Sequence, residues 1–457
     1  MIDPERIEHL NSTPPRRGRY VLYWMQASQR AGWNHALEYA VEQANAQGLP
    51  LLAVFALTDN YPDANARHYA FMLEGLSETQ AALAKRGVRL VVRRGEPLEV
   101  VTALAEPAAM VVTDAAYTAV PRQWRRDVAR AVGCSVVQVE TDVVVPVAVV
   151  SDHREYAART IRPKLHRHLD TYLRPLAERT LRRDSLDLAA DGLDLADPRA
   201  VLAMLDVDRG VEPVSQHYRG GTSEALRRLK AFVAGELRRY HTHRGDPALD
   251  VQSHMSPYLH FGQISPVQVA LTVMRDGRRT VPHAARESFL EELIVRREVG
   301  INYVYYTPNY ASWRALPAWA RATLDAHRTD RRPAVYTMRQ LEAAATDDPY
   351  WNAAMREMVC TGIMHNTLRM YWGKKVLEWT RSPAAAFRRL LALDNRYFLD
   401  GRDPLSFSNV AWCFGLHDRP WGERPVFGTV RTMTAGGLDR KYDMDAYLRR
   451  VDAMIAQ

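Results

Sequence analysis

Cysteine is scarce. The 457 residues hold three, Cys134, Cys360 and Cys413, far apart in the chain. That excludes a disulfide framework and offers no zinc spacing, so no metal is expected and a reducing cytoplasm fits. No apolar run reaches the roughly 18 residues of a membrane span, so no membrane partner is expected. The opening MIDPERIEHLNSTPPRRGRY lacks the apolar core of a signal peptide and reads as polar and partly disordered. The pattern G-x-G-x-x-G is missing after the first strand pattern, where the chain reads QASQRAG (26–32). The usual dinucleotide loop is thereby excluded. Acidic residues are in deficit, 53 against 61 Lys and Arg, for a net charge of +8. A basic balance favours a polyanion such as nucleic acid, although an Ala- and Arg-rich genome bias gives the same number.

What is present divides the chain in two. Apolar, β-prone runs at 19–25, 49–57, 88–95, 109–115 and 134–141 alternate with helical patterns at 34–48, 66–87, 97–106 and 121–132. Five strands with four intervening helices predict a doubly wound parallel α/β domain over 18–150. The pattern loosens in a connector at 151–215. From 216 to 457 nearly everything reads as helix broken by Pro and Gly, at 220–240, 265–275, 284–306, 313–327, 338–345, 350–379 and 383–394. The fold class expected is α/β plus all-α.

Several segments mix chemistry-bearing residues. In GIMHNTLRMYWGKKVLEW (362–379), Trp372 and Trp379 are seven apart, on one helix face and about 10 Å apart along the axis. Large aromatics at that spacing usually mean core, but Arg369 needs an anionic partner if buried. Asp347 or Asp348 is placed to cap the helix that carries Trp351, with Pro349 in its first turn. In SHMSPYLHFGQISP (253–266), Ser253 and Ser256 suit either a phosphate or an ordinary capped turn. ESFLEELIVRREVG (287–300) reads by default as a solvated face with ion pairs. AWCFGLHDRPWGERP (411–425) interleaves Trp412 and Trp421 with Arg419 and Arg424 in a Gly/Pro-broken segment, which suits stacking on bases and phosphate contacts.

Taken in order, YVLYWMQASQRAGWNHALEYAVEQAN, MSPYLHFGQIS, FLEELIVRRE, WNAAMREM, MHNTLRMYWGKKVLEW, LDGRDP and AWCFGLHDRPWGERPVFG resemble the class II cyclobutane pyrimidine dimer photolyases of the photolyase/cryptochrome family, from about residue 18 onward. The resemblance implies an N-terminal antenna domain and a helical domain binding folded FAD and DNA. It implies that Tyr240 and the turn Ser253, His254, Met255 and Ser256 hold FAD phosphates and ribose. Phe289 would lie beside the cofactor, and Asn366, Arg369, Asp394, Asp400 and Asp403 near the flavin. Trp379, Trp372 and Trp351 would carry electrons to the flavin. Glu292, Met370 and Trp412 would face a flipped-out dimer, and Arg419, Trp421 and Arg424 the DNA. The implied activity is light-driven repair of UV-damaged double-stranded DNA by a monomer, in the cytoplasm or with the nucleoid of a prokaryote. A deazaflavin (8-HDF) or a folate is the antenna candidate.

Four positions depart from the class II pattern: His254 stands for Asn, Asn366 for Gly, and Asp394 and Leu405 for Asn. A protonated carboxyl near flavin N5 can supply a proton, whereas an ionised one repels added negative charge. Asp394 and Leu405 therefore favour the alternative, a cryptochrome-like photoreceptor without repair.

Overall fold

The structure, a computed structural model, describes residues 2–276 and 281–456. Its chain forms two compact units that interleave in sequence. The first takes Met1–Asp152, Lys164–Lys230 and Met255–Arg275; the second takes His153–Pro163, Ala231–His254 and Asp276–Gln457. A connector at 151–215 and a helical domain from 216 would divide the chain elsewhere.

The first unit is built on six strands: β1 (Ile7–His9), β2 (Tyr20–Trp24), β3 (Leu51–Leu57), β4 (Arg89–Arg94), β5 (Ala108–Asp114) and β6 (Ser135–Val139), in spatial order β1-β6-β5-β2-β3-β4. Strands β2 to β6 are parallel, and their continuous apolar runs are buried on both faces, as parallel sheets require. Alternate residues face opposite ways. Val21 and Tyr23 pack with α1 (His35–Gln47) and α2 (Ala66–Lys85), while Leu22 and Trp24 pack with α3 (Pro97–Ala105) and α4 (Ala119–Ala131). The expected five-strand sheet needs one correction. The N-terminal segment is ordered, and Ile7 to His9 pair antiparallel with β6 to make the sheet mixed. Arg6 anchors that edge, its guanidinium donating to the carbonyls of Glu140, Val143 and Val144.

The loop after β2 explains its missing glycines. The carboxylate of Asp114, at the end of β5, accepts from the backbone N–H groups of Gln26, Ala27 and Ser28 at 2.8, 2.6 and 3.1 Å. A side chain of the fold thus fills the anion-binding concavity where a phosphate sits in dinucleotide folds.

The second unit is helical around one core holding Trp351, Trp372, Trp379, Tyr371, Phe387 and Phe414. The stretch 350–379 is two helices, not one. Pro349–Thr361 is capped by Asp348 at its start and closed by Gly362, whose φ of 79° is open to glycine at little cost. The chain re-enters helix at Asn366–Glu378 behind an N-cap from His365. The break turns the two helices against each other and so decides where Trp351 lies.

Candidate functional site

Helix Asn366–Glu378 organises the site. Arg369, the sequence's question of a buried arginine, has its answer in two carboxylates. One nitrogen donates to Asp394 Oδ1 at 2.8 Å, and the other spans both oxygens of Asp400 at 3.2 Å. The guanidinium also lies 3.9 Å from the centre of the Phe398 ring. Gly401 allows this convergence: a Cβ there would stand 2.9 Å from the carbonyl oxygens of Asp394 and Asn395. Ser406 holds the same corner, donating to the Asp400 carbonyl at 2.8 Å. Asp403 caps helix Pro404–Cys413 through the N–H of Leu405.

Burial pushes the Asp394 carboxyl above the usual range; Arg369 pulls it back and Asp400 pushes it up again. Asp394 Oδ2, Arg369 Nε and Trp372 Nε1 are buried with no hydrogen-bond partner among the described residues. Native interiors rarely leave such atoms unpaired unless a further polar group belongs beside them.

The three tryptophans form a column. Trp351 lies between the other two, stacked on Trp372 at 6.1 Å and 15° and edge-on to Trp379 at 5.6 Å. Its indole N–H donates to the Trp372 carbonyl at 3.1 Å. Ring contact therefore runs Trp372, Trp351, Trp379, with the residue from the neighbouring helix in the middle. At one end Trp372 meets Phe398 at 6.1 Å; at the other Trp379 meets Tyr336 at 4.9 Å.

A pocket of about 600 Å³ opens on the other side of the same helix. Asn366, Met370, Trp412, Trp421 and Arg424 line it, so five expected site residues share one concavity. Thr367, Arg431 and Lys441 also line it and were missed by the motif reading; Arg431 stands alone and Lys441 follows Arg440, with no motif spacing to mark either. Trp421, 40% exposed, lies on a loop that turns between Arg424 and Gly428. Its N–H bonds the Thr429 carbonyl, and Arg424 and Gly428 exchange backbone bonds at 2.9 and 2.8 Å. Asp418 fixes the base, taking both nitrogens of Arg431 and the indole N–H of Trp421. Arg419 and Arg424 are exposed.

Glu292 is not among the residues lining that pocket. It belongs to a second cluster with Tyr240 and Phe289, whose rings meet edge-on at 5.4 Å. Glu292 sits in a π-helical turn, Glu291–Arg296, between helices His283–Leu290 and Arg297–Tyr306. Such turns are frequent at functional positions. Its carboxylate pairs with Arg244 at 2.7 Å, a partner the sequence signalled only by its place four residues after Tyr240. Glu291 pairs with Arg162 at 2.7 Å and, within its own segment, with Arg296 at 3.5 Å. His254 has a φ of 53° and pairs with Asp250 at 3.1 Å. Asn takes that backbone region more readily than His, which gives this departure from the class II pattern a physical content. Ser253 and His254 belong to the second unit, Met255 and Ser256 to the first.

Known proteins share this architecture. A bacterial class III photolyase from Agrobacterium tumefaciens superposes with a TM-score of 0.75 at 21% identity, over 95% of this chain and 87% of that one. The fold is that of a photolyase. The sequence pattern of the DNA photolyase family matches residues 21–181. A deoxyribodipyrimidine photo-lyase of Methanothermobacter thermautotrophicus is 48% identical over 457 residues, the whole of both chains. One from Potorous tridactylus is 38% identical over 94% of this chain and 81% of its own. The chain belongs to the DNA photolyase family, and light-dependent DNA repair is the activity that goes with it. Membership implies FAD, and the buried unpaired atoms of Arg369, Asp394 and Trp372 fit a polar cofactor beside them. No described helix is long and apolar enough to cross a membrane.

Proposed function

We propose that this protein is a class II cyclobutane pyrimidine dimer photolyase. The observation that carries the reading is the double use of helix Asn366–Glu378. It presents Asn366 and Met370 to the pocket, and it sends Trp372 into a buried indole column. A dimer inside a duplex is out of reach, and a damaged pair is cheaper to extrude than an intact one. The pocket suits the extruded dimer: Met370 and Trp412 give apolar walls, while Arg424, Arg431 and Lys441 meet phosphates. The exposed Trp421 with Arg419 and Arg424, on an anchored loop, fits the gap left in the duplex.

Arg369, Asp394, Asp400 and Asn366 would hold the flavin ring, with Asp403 nearby. Tyr240, Phe289, Ser253 and His254 would hold the rest of FAD. FAD held by these residues would supply light-driven one-electron chemistry for opening the cyclobutane ring. The chain's own part is to position the dimer and to exclude water, and Glu292, which pairs with Arg244 outside the lining of the pocket, would have to leave that partner to meet the dimer. The column Trp372–Trp351–Trp379 serves to keep the cofactor reduced. Any antenna, 8-HDF or folate, would add absorption that a spectrum of the purified protein reveals. We place the protein with the DNA of the cell, acting as a monomer.

The test is an oligonucleotide with one cyclobutane dimer, reductant and blue light. The dimer is expected to disappear in light and persist in the dark. Persistence in light while the flavin photoreduces normally overturns the reading. It would favour instead a photoreceptor without repair, to which the buried Asp394 carboxyl lends weight.

A further inference from the structure

Lys374 is fully buried, and no carboxylate pairs with it among the described residues. Its ammonium donates to the carbonyl of Cys413 at 2.6 Å and stands 4.9 Å from the centre of the Trp412 ring. On the other flank Arg431 lies 5.6 Å from the same ring, with its charge balanced by Asp418. The column differs. Lys375 lies 5.4 Å from the centre of the Trp379 ring but pairs with Glu378 at 2.8 Å and lies 3.8 Å from Asp348. No cation stacks on Trp351 or Trp372 among the described residues. One indole of the pocket wall thus faces a buried ammonium that no carboxylate contacts among the described residues, and the indoles of the column do not.

An indole that loses an electron becomes a radical cation, and a cation close by in a low-dielectric site opposes that change by direct repulsion. We propose that Lys374 protects Trp412 from one-electron oxidation, so that electrons are drawn from the Trp372–Trp351–Trp379 column and the wall of the lesion pocket stays intact. The inference rests on the flavin reading above. In the step concerned, one electron leaves the indole and passes to the photoexcited oxidised flavin as acceptor; no bond is made or broken. Lys374 is here a positioning charge, not a catalytic residue. Without it, Trp412 is a competing donor, and its oxidation products would accumulate where the dimer must dock.

The charge can be titrated. Burial lowers the Lys374 ammonium to about 8, with Asp418 favouring the charged form and Arg431 opposing it. The Cys413 thiol, pushed up by burial to about 11, stays protonated over the same range. Protection is therefore full near neutrality and lost as pH rises past the lysine's value.

The experiment uses the holoenzyme in the dark and the azide radical, a small neutral one-electron oxidant, with peptide mass spectrometry of the oxidised tryptophans. Trp421 is the internal reference, since the cations on its ring are guanidinium groups, Arg419 at 5.3 Å and Arg431 at 4.2 Å, and not a lysine. The ratio of Trp412 to Trp421 oxidation is expected to rise several-fold between about pH 7 and about pH 9.5. In Lys374→Met the ratio should be high throughout, without a step. A flat ratio in the wild type overturns the proposal, as does a step that survives in the variant. If the variant fails to fold, the wild-type titration decides alone. The readout needs neither light nor damaged DNA, so its failure leaves the repair reading standing, and failed repair leaves this ratio informative.

Discussion

Asp394 and Asp400 share one guanidinium, and that shortage of positive charge sets the behaviour of the site. Burial raises the Asp394 carboxyl, and Arg369 only partly offsets it. An acid whose value in the folded state lies above its unfolded value binds more protons when folded. Its contribution to stability is present below the unfolded value of 3.8 and is lost as pH rises through the folded value. Asp394→Asn removes that titration. The stability of the variant relative to wild type is expected to climb with pH above the ordinary carboxylate range and then level off, measured by urea unfolding at a series of pH values. A difference independent of pH would mean that Asp394 ionises as it does in the unfolded chain. Sequence alone reached Arg369, Asp394 and Asp400 through the family likeness. That Asp394 joins the pair followed only once Gly401 was seen to let the turn close on the helix end. Lys374 stands out in the sequence only as a cation among aromatics, and its burial is shown by the packing alone.

Two helices meet at the column, and their meeting makes it continuous. Trp372 and Trp379 were legible as one face of one helix. Trp351 was not, since a period of 3.6 residues says which side a residue faces and nothing about what faces it. The break at Gly362 folds Trp351 back between the other two. Trp351→Phe is thus expected to abolish photoreduction of bound flavin while sparing repair by chemically reduced enzyme. Undiminished photoreduction in Trp351→Phe would show that electrons bypass the middle ring. The π-helical turn at Glu291–Arg296 was equally hidden, because the extra residue per turn leaves no mark on a short apolar pattern.

At the scale of the molecule the basic balance becomes local. Arg419 and Arg424 are exposed beside the pocket, on a loop held at its base by Asp418 and by backbone pairing. Arg424→Ala is expected to weaken binding to damaged and undamaged duplex alike and to reduce the slope of log affinity against log salt by about 1. An unchanged slope would place Arg424 away from phosphate. The five parallel strands were readable from their unbroken apolar runs, and the edge strand β1 was not, being three polar-flanked residues that depend on β6 for their pairing. The interleaving of the two units was also out of reach, since composition gives no signal where the chain passes from one to the other.

In the proposed repair the electron given to the dimer would come back, so that no reductant is consumed. The direct measurement is the number of dimers split per flavin by fully reduced enzyme, under blue light and without oxygen, after the reductant has been removed. Many dimers per flavin, with the flavin still reduced at the end, is the outcome this account expects. Repair that halts after one dimer per flavin, leaving the flavin oxidised, would contradict it.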